Sequence, residues 1–354
     1  MKILVFGANS LLGQDLVRVL DARGVDFDVL ASEDVDILKP REVMSAVSRS
    51  NPTQLVNVAT YSNLQKAESD PEAAKLCDLV NTEGVASLAK ISEQLQIPII
   101  HHSSSYVFDG AKKDTYTEED ATNPVSQYGK SKWYGERTLR DESTQHIILR
   151  TDWLFSDSIQ SYFRRVIDEC KSNDGKVGIV DNRFSPTHTA DAARVIYAII
   201  MQIDCNAQAW GTYHYNALQP VNQDQFVQLV LEEAAKLDKD IDKLLPRLEI
   251  ELLPVELPYI INSALNCEKI MGTFGIKQRS RGQGVVEVLE QMYGVRKPSP
   301  SRKNSADSKK TAAAKKKATR KKVHKAERKT QKQKTRAKSA KRSKPPARKA
   351  AKQK

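Results

Sequence analysis

The chain has 354 residues and carries 56 Lys and Arg against 44 Asp and Glu, a formal net charge of +12. The charge is divided unevenly, because residues 296–354 contain 26 basic and two acidic residues, whereas residues 1–295 contain 30 basic and 42 acidic residues. The four cysteines form no CxxC pair and no apolar run approaches the roughly 18 residues of a membrane span, so we expect no disulfide scaffold, no metal site and no span.

Short β-branched runs alternate with amphipathic stretches over the first 155 residues. Strands are predicted at residues 2–7, around Val29, and at 53–60, 97–105 and 147–155. Helices are predicted at residues 12–20, from Pro40, over 70–95 and over 128–140. This alternation is typical of α/β proteins and predicts a Rossmann-type doubly wound parallel sheet. Beyond about Phe155 it loosens, which indicates a smaller α/β region.

A glycine-bearing turn, Gly7-Ala-Asn-Ser-Leu-Leu-Gly13, joins the first strand to the first helix. Such a turn lets the backbone approach a pyrophosphate, and the helix N-terminus supplies N–H donors and a favourable dipole. Two glycines six residues apart also fit an ordinary tight turn. The strand–turn–helix context favours a dinucleotide-binding turn.

A second motif, Tyr128-Gly-Lys-Ser-Lys132, places a phenol and an ammonium group four residues apart on one helical face. Because a neighbouring cation favours phenolate, we expect Lys132 to lower the pKa of Tyr128 and suit it to proton donation. Ser103-Ser-Ser105 ends a predicted strand, where its hydroxyls can hold a carbonyl oxygen. Each motif alone also fits a solvent-exposed surface.

Taken in this order and spacing, the motifs resemble the extended short-chain dehydrogenase/reductase family, and within it the reductases of nucleotide-linked 4-keto-6-deoxy sugars. The resemblance extends through about residue 293. It includes GANSLLG, VNVATYSNLQKAE, SSSYVFDG, YGKSKWYGE, LRTDWLF, the SPT segment at Ser185 and SALNCEK from Ser263. It implies hydride transfer from NADPH or NADH to the C4 keto carbon of a nucleotide-sugar substrate.

The resemblance also implies a division of the chain and roles for individual residues. Residues 1–155 would form the dinucleotide-binding Rossmann domain, with later returns of the chain, and residues 156–295 a smaller substrate-binding region. A homodimer fits the same family. The implied cofactor-binding residues are Gly7, Ser10, Leu11, Leu12 and Gly13 at the diphosphate, Asp36 and Ile37 at the adenine, and Ala59, Thr60, Tyr61, Tyr128 and Lys132 further along. The implied catalytic residues are Ser104, Tyr128 and Lys132, and the implied substrate-binding residues are Ser104, Ser105 and Trp153.

Four departures from the family pattern keep a second hypothesis open. Ser10 replaces the middle glycine of the turn, and Ser105 stands where an STDYVF motif usually has Asp, which removes a carboxylate expected at the sugar. The glycine usually found before the SPT segment is absent, and the stretch from Tyr259 to Ser263 lacks an Arg-Pro pair. The alternative is a cofactor-binding protein without turnover, like the regulatory subunit of methionine adenosyltransferase. The intact Tyr128 and Lys132 pair favours an enzyme.

The basic tail, residues 296–354, contains no Phe, Trp or Tyr and carries a net charge of +24. It cannot bury a core, so we expect it to be disordered, and it resembles the Lys/Ala-rich tails of linker histones. Its charge predicts non-specific, salt-dependent binding of DNA or RNA. The alternatives are a solvated tail that folds back on the acidic body and a nucleoid-associated protein. The expected location is the cytoplasm or the nucleoid.

Overall fold

The computed structural model describes residues 1–158, 162–254 and 258–295. The predicted disordered tail, residues 296–354, lies outside the described residues. The strands in the described ranges are β1 (Lys2–Phe6), β2 (Asp26–Leu30), β3 (Gln54–Asn57), β4 (Ile99–Ser104), β5 (His146–Thr151), β6 (Leu154–Phe155), β7 (Lys176–Ile179), β8 (Arg183–Phe184), β9 (Thr187–His188), β10 (Gly211–Tyr215), β11 (Val221–Asn222) and β12 (Glu249–Leu252).

The helices of the same ranges lie between or after these strands, and the stretches predicted at 12–20, from Pro40, over 70–95 and over 128–140 all contain helices. They are α1 (Leu11–Ala22), α2 (Pro40–Ser50), α3 (Leu64–Ser69), α4 (Pro71–Asp78), α5 (Gly84–Leu95), α6 (Gln127–Glu142), α7 (Tyr162–Ser172), α8 (Thr189–Asp204), α9 (Gln223–Ala235), α10 (Lys239–Leu244), α11 (Glu268–Phe274) and α12 (Arg281–Met292). Within the described ranges, no helix is long and apolar enough to cross a membrane.

A six-stranded sheet in the order β10-β5-β4-β3-β1-β2 forms the centre of the fold, and every neighbouring pair is parallel. This confirms the predicted doubly wound parallel sheet. From β1 the chain first adds β2 on one side and then β3 on the other. Such a reversal opens a crevice at the carboxyl ends of the strands, where open α/β sheets bind ligands.

The side chains of β1 show why the sheet is covered on both faces. Ile3 and Val5 belong to one buried cluster, with α1 and α8, whereas Leu4 and Phe6 belong to another, with α2 and α5. Successive residues of a strand point to opposite faces, so a continuous apolar run fits a strand buried on both sides. Both faces therefore exclude water.

The later part of the chain contributes to two places. β10 pairs with β5 in the central sheet, and α8 packs on α1. In contrast, α7, α9 and α12 surround a separate apolar cluster that includes Phe163, Phe226 and Val288. Short strand pairs, β7 with β12 and β8 with β11, lie outside the central sheet. The division of the chain at residue 155 stays a prediction.

The long helix predicted over residues 70–95 is found as a continuous helical run with a π-helical turn in its middle. Asp70 caps α4, accepting a hydrogen bond from the backbone N–H of Glu72 at 3.0 Å, and α4 ends at Asp78. A wider π-helical turn at Leu79–Glu83 then leads into α5. The turn directs Asn81 inward, where its side chain is fully buried.

Candidate active site

The turn after β1 packs so tightly that a glycine is needed at Gly13. A Cβ atom there would lie 2.2 Å from the backbone oxygen of Gly7, closer than real contacts allow. Gly7 itself has φ +84°, in the left-handed region that glycine adopts freely. Ser10 caps α1, since its Oγ accepts a hydrogen bond from the N–H of Gly13 at 3.0 Å. The Ser10 side chain thus turns into the helix.

A cavity of about 450 Å³ lies beside this turn, at the crevice between β1 and β3. Seven of the predicted cofactor residues line it, namely Gly7, Ser10, Asp36, Ile37, Ala59, Thr60 and Tyr61. Leu11, at the start of α1, is 38% exposed, whereas Leu12 points into the core and Gly13 is buried behind the turn. Only the backbone of the last two could approach a diphosphate.

The rim of this cavity is acidic. Glu33 accepts a hydrogen bond from Asn9 Nδ2 at 3.1 Å, and Asn9 lines the cavity together with Asp36. Among the described residues that line the cavity there is no Lys or Arg. Outside the lining, the ammonium group of Lys39 lies 3.8 Å from Asp36 and 3.3 Å from Glu42.

The amino end of α6 places the phenol of Tyr128 against the end of β4. Ser126 caps α6, accepting from the N–H of Gly129 at 3.0 Å. A Cβ atom at Gly129 would lie 2.2 Å from the backbone oxygen of Tyr106, so the helix packs directly on the segment after β4. Tyr128, Ser104 and Thr60 are thereby brought together.

Burial raises the pKa of Tyr128 to about 12, while the hydroxyls of Ser104 and Thr60 oppose this shift. The predicted lowering of this pKa by Lys132 is therefore not found, because removal from water disfavours the phenolate more than its neighbours stabilise it. The phenol holds its proton at neutral pH.

Lys132 is fully buried, and its Nζ donates a hydrogen bond to the carbonyl oxygen of His102 at 2.7 Å. Burial lowers the pKa of Lys132 to about 8, and the carboxylate of Glu136 opposes this shift. Burial alone would raise the pKa of Glu136, but the guanidinium of Arg150 brings it to about 2. Arg150 binds both oxygens of Glu136, at 2.8 and 2.7 Å.

Asn81, which the sequence motifs did not single out, joins the cofactor side to the catalytic helix. Its Oδ1 accepts hydrogen bonds from Thr60 Oγ1 and the N–H of Tyr61, each at 3.0 Å. Its Nδ2 donates to the carbonyl oxygen of Tyr61 and to Ser131 Oγ, also at 3.0 Å. The side-chain amide of Asn81 thus holds the cavity wall at Thr60 and Tyr61.

Aromatic rings gather on the other side of Tyr128. The ring of Tyr106 meets that of Tyr128 edge-on at a centroid distance of 5.8 Å. Trp153 contacts the rings of Tyr162 and Phe184, at 4.9 and 4.4 Å. Trp153 has φ +34°, a conformation that a bulky residue keeps only when its surroundings hold it there.

Ser105 is fully buried, and its Oγ donates a hydrogen bond to Asp152 Oδ1 at 2.7 Å. Its assignment as a substrate contact stays a prediction. Asp152 was not among the predicted site residues. Within the described ranges, no group of three or more His, Cys, Asp or Glu side chains could hold a metal ion.

Comparison with known proteins places these features in a family. A model of the RmlD substrate binding domain matches residues 1–294. A dTDP-4-dehydrorhamnose reductase of Sinorhizobium fredii is 31% identical over 281 residues, which cover 78% of this chain and 93% of the relative.

Solved structures show the same fold. A dTDP-4-dehydrorhamnose reductase from Clostridium acetobutylicum has a TM-score of 0.73 at 26% identity and covers 82% of this chain and 99% of its own. Another reductase of that name, from Bacillus anthracis in complex with NADP, has a TM-score of 0.67 at 22% identity and covers 82% and 98%.

Proposed function

The chain belongs to the RmlD substrate binding domain family, and on this premise we propose that it reduces a nucleotide-linked 4-keto-6-deoxy sugar, with dTDP-4-dehydrorhamnose as the substrate. It is an NAD(P)-dependent oxidoreductase of the extended short-chain dehydrogenase/reductase type. The observation that carries the proposal is the meeting of Tyr128 with Ser104 and with Thr60, which itself lines the cavity at the carboxyl ends of β1 and β3. This reaction would place the chain in the formation of dTDP-rhamnose.

The cavity residues fit a dinucleotide. The close approach of Gly13 to Gly7 leaves room for phosphate oxygens near the amino end of α1, where N–H groups and the helix dipole favour an anion. Asp36 and Ile37 would border the adenine, and Ala59 to Tyr61 would continue the wall. When bound, the reduced nicotinamide supplies a hydride.

The chain's own residues would supply the proton that the keto oxygen takes up. Ser104 would donate a hydrogen bond to the keto oxygen, and Tyr128 would transfer its phenolic proton to that oxygen. A raised pKa serves this step, because the acid form is fully populated at neutral pH. Lys132, one turn further along α6, would hold the cofactor ribose.

The test is turnover of dTDP-4-dehydrorhamnose by the full chain, followed by the loss of reduced-nicotinamide absorbance and by identification of the reduced sugar. We expect multiple turnovers. Cofactor binding without any turnover would favour the regulatory alternative instead.

We also propose that NADH is the preferred cofactor. The carboxylate of Glu33, held by Asn9 at the cavity rim, can accept a hydrogen bond from a ribose hydroxyl but repels a 2′-phosphate. We expect tighter binding of NADH than of NADPH in calorimetry. Because an exposed charge pair contributes about 1 kcal/mol, Glu33→Gln should reduce the preference by about fivefold.

Glu42→Gln is the matched control for this substitution. Glu42 is an exposed acid on α2 that does not line the cavity, so the preference should be unchanged. Tighter binding of NADPH by the parent would show that the acidic rim does not select the cofactor.

For the basic tail we propose non-specific binding of nucleic acid, supported by its 26 basic and two acidic residues. Deleting residues 297–354 should leave the melting temperature and cofactor affinity unchanged. Log affinity of the full chain for duplex DNA should fall linearly with log salt, because each neutralised phosphate releases about 0.9 counterion.

Fluorescence anisotropy over a salt titration of full-length and truncated protein measures this effect. Equal binding by the two would favour the solvated tail.

A further inference from the structure

The carboxylate of Asp152 joins three segments that are distant in sequence. Its Oδ1 accepts a hydrogen bond from Ser105 Oγ at 2.7 Å. Its Oδ2 accepts from the N–H of Ser185 at 2.7 Å and from Ser263 Oγ at 3.0 Å. The side chain is 1% exposed, so these donors replace water around a buried acid. Burying a carboxylate costs free energy, so its presence here calls for an explanation.

The strand register explains how Ser105 and Asp152 meet. Ser104 of β4 pairs with Thr151 of β5 in a parallel ladder. Ser105 and Asp152 follow these partners directly, so they leave two neighbouring strands at the same level. The sheet therefore places a carboxylate from position 152 where the family resemblance predicts one from position 105.

The segments of Ser105 and of Asp152 itself each carry a side chain of the aromatic group beside Tyr128. Ser105 lies between Ser104 and Tyr106, and Asp152 precedes Trp153. The charge of Asp152 acts on the phenols of Tyr106 and Tyr259, the titratable groups that face it, and raises the pKa of both together with burial, which is the larger cause.

We propose that Asp152 is a positioning residue for the sugar end of the site, supplying there the carboxylate that Ser105 lacks. The inference rests on the proposed function. By holding Ser105 and Ser263, Asp152 sets the positions of Ser104 and Trp153 relative to the keto sugar, without contacting the cofactor.

The ionised form performs this role, since three donors converge on two oxygens. Burial raises the pKa of Asp152 to about 7, and its hydrogen bonds oppose the shift. As pH falls through this value, protonation weakens the acceptor. The kcat/KM for the sugar should therefore fall below about pH 7 in the parent.

The experiment compares Asp152→Asn and Asp152→Ser with the exchange variant Ser105→Asp/Asp152→Ser. Because a hydrogen bond to a charged group contributes about 1.5–3 kcal/mol, each single variant should lose about 10-fold to 100-fold in kcat/KM for dTDP-4-dehydrorhamnose. The KM for the cofactor should not change. The exchange variant should recover most of the loss, and Asp152→Asn should show no decline of kcat/KM near pH 7.

The control is Asp141→Asn, an exposed acid on α6 whose loss should change neither constant. Should the Asp152 variants fail to fold, Ser105→Ala and Ser263→Ala each remove one donor, and each should lower kcat/KM by about tenfold. Melting temperatures and cofactor affinity establish that a variant is folded.

Calorimetric binding of dTDP-L-rhamnose, the reduced product, gives a readout that does not depend on turnover. We expect weaker binding by Asp152→Asn than by the parent. Equal binding by the two would overturn the inference, and so would an exchange variant no better than Asp152→Ser. No binding by the parent, or its failure to turn over the sugar, would instead contradict the proposed function.

Discussion

Replacing Tyr128 with Phe should abolish most turnover, lowering kcat by about 10²-fold to 10⁴-fold, the usual contribution of a general acid. The phenol is buried with its pKa raised to about 12, and Ser104 and Thr60 lie beside it. Its proton is needed only in the transition state, so the loss should appear in kcat. Cofactor affinity, measured by fluorescence titration, should be nearly unchanged.

Tyr134→Phe is the matched control, because Tyr134 lies on the same helix and is 47% exposed. It should retain the parent's kcat. Sustained reduction of the keto sugar by Tyr128→Phe would exclude Tyr128 as the proton donor.

Introducing a single methyl group at Gly13 should damage both the fold and the cofactor site. The Cβ of Gly13→Ala would lie 2.2 Å from Gly7 O and 2.9 Å from two backbone atoms of Ala8, none of which is a flexible side chain. Overpacking of this kind costs about 1–3 kcal/mol. We expect a lower melting temperature. If a similar free energy is lost from cofactor binding because the turn opens, NADH should bind about tenfold more weakly.

Gly272→Ala provides the comparison, since Gly272 lies in α11 with nothing within 4 Å of the added atom. Its melting temperature should match or slightly exceed that of the parent, because Ala favours a helix. Equal cofactor affinity in Gly13→Ala and Gly272→Ala would mean that the turn is not part of the cofactor site.

The central sheet could be predicted from the sequence because its signals are local. Strands buried on both faces are continuous apolar runs, and Tyr128 and Lys132 stand four residues apart, so one helix brings them to one face. The Gly7–Gly13 turn likewise needs only its neighbours to be recognised. These features required no knowledge of which strands pair.

Asp152 and Asn81 could not be predicted in this way, because their partners lie far along the chain. Asp152 meets Ser105 only through the register between β4 and β5, which no periodicity reveals. The pKa of Tyr128 was predicted in the wrong direction because the sequence shows the nearby cation of Lys132 but not the depth of burial. Nothing in the sequence around Asn81 distinguishes it from a surface residue, since Thr82 and Glu83 follow it directly.

A deletion of one residue in the π-helical turn at Leu79–Glu83 should affect the fold and the site differently. A turn of this type contains one residue more than an α-helical turn, so a deletion within it restores a regular helix and leaves the faces of α4 and α5 in phase. The core would survive such a deletion. Asn81 would lose its inward position, and Thr60 and Tyr61 would lose the amide that holds them. A one-residue change in length here would thus alter the site and leave the architecture intact.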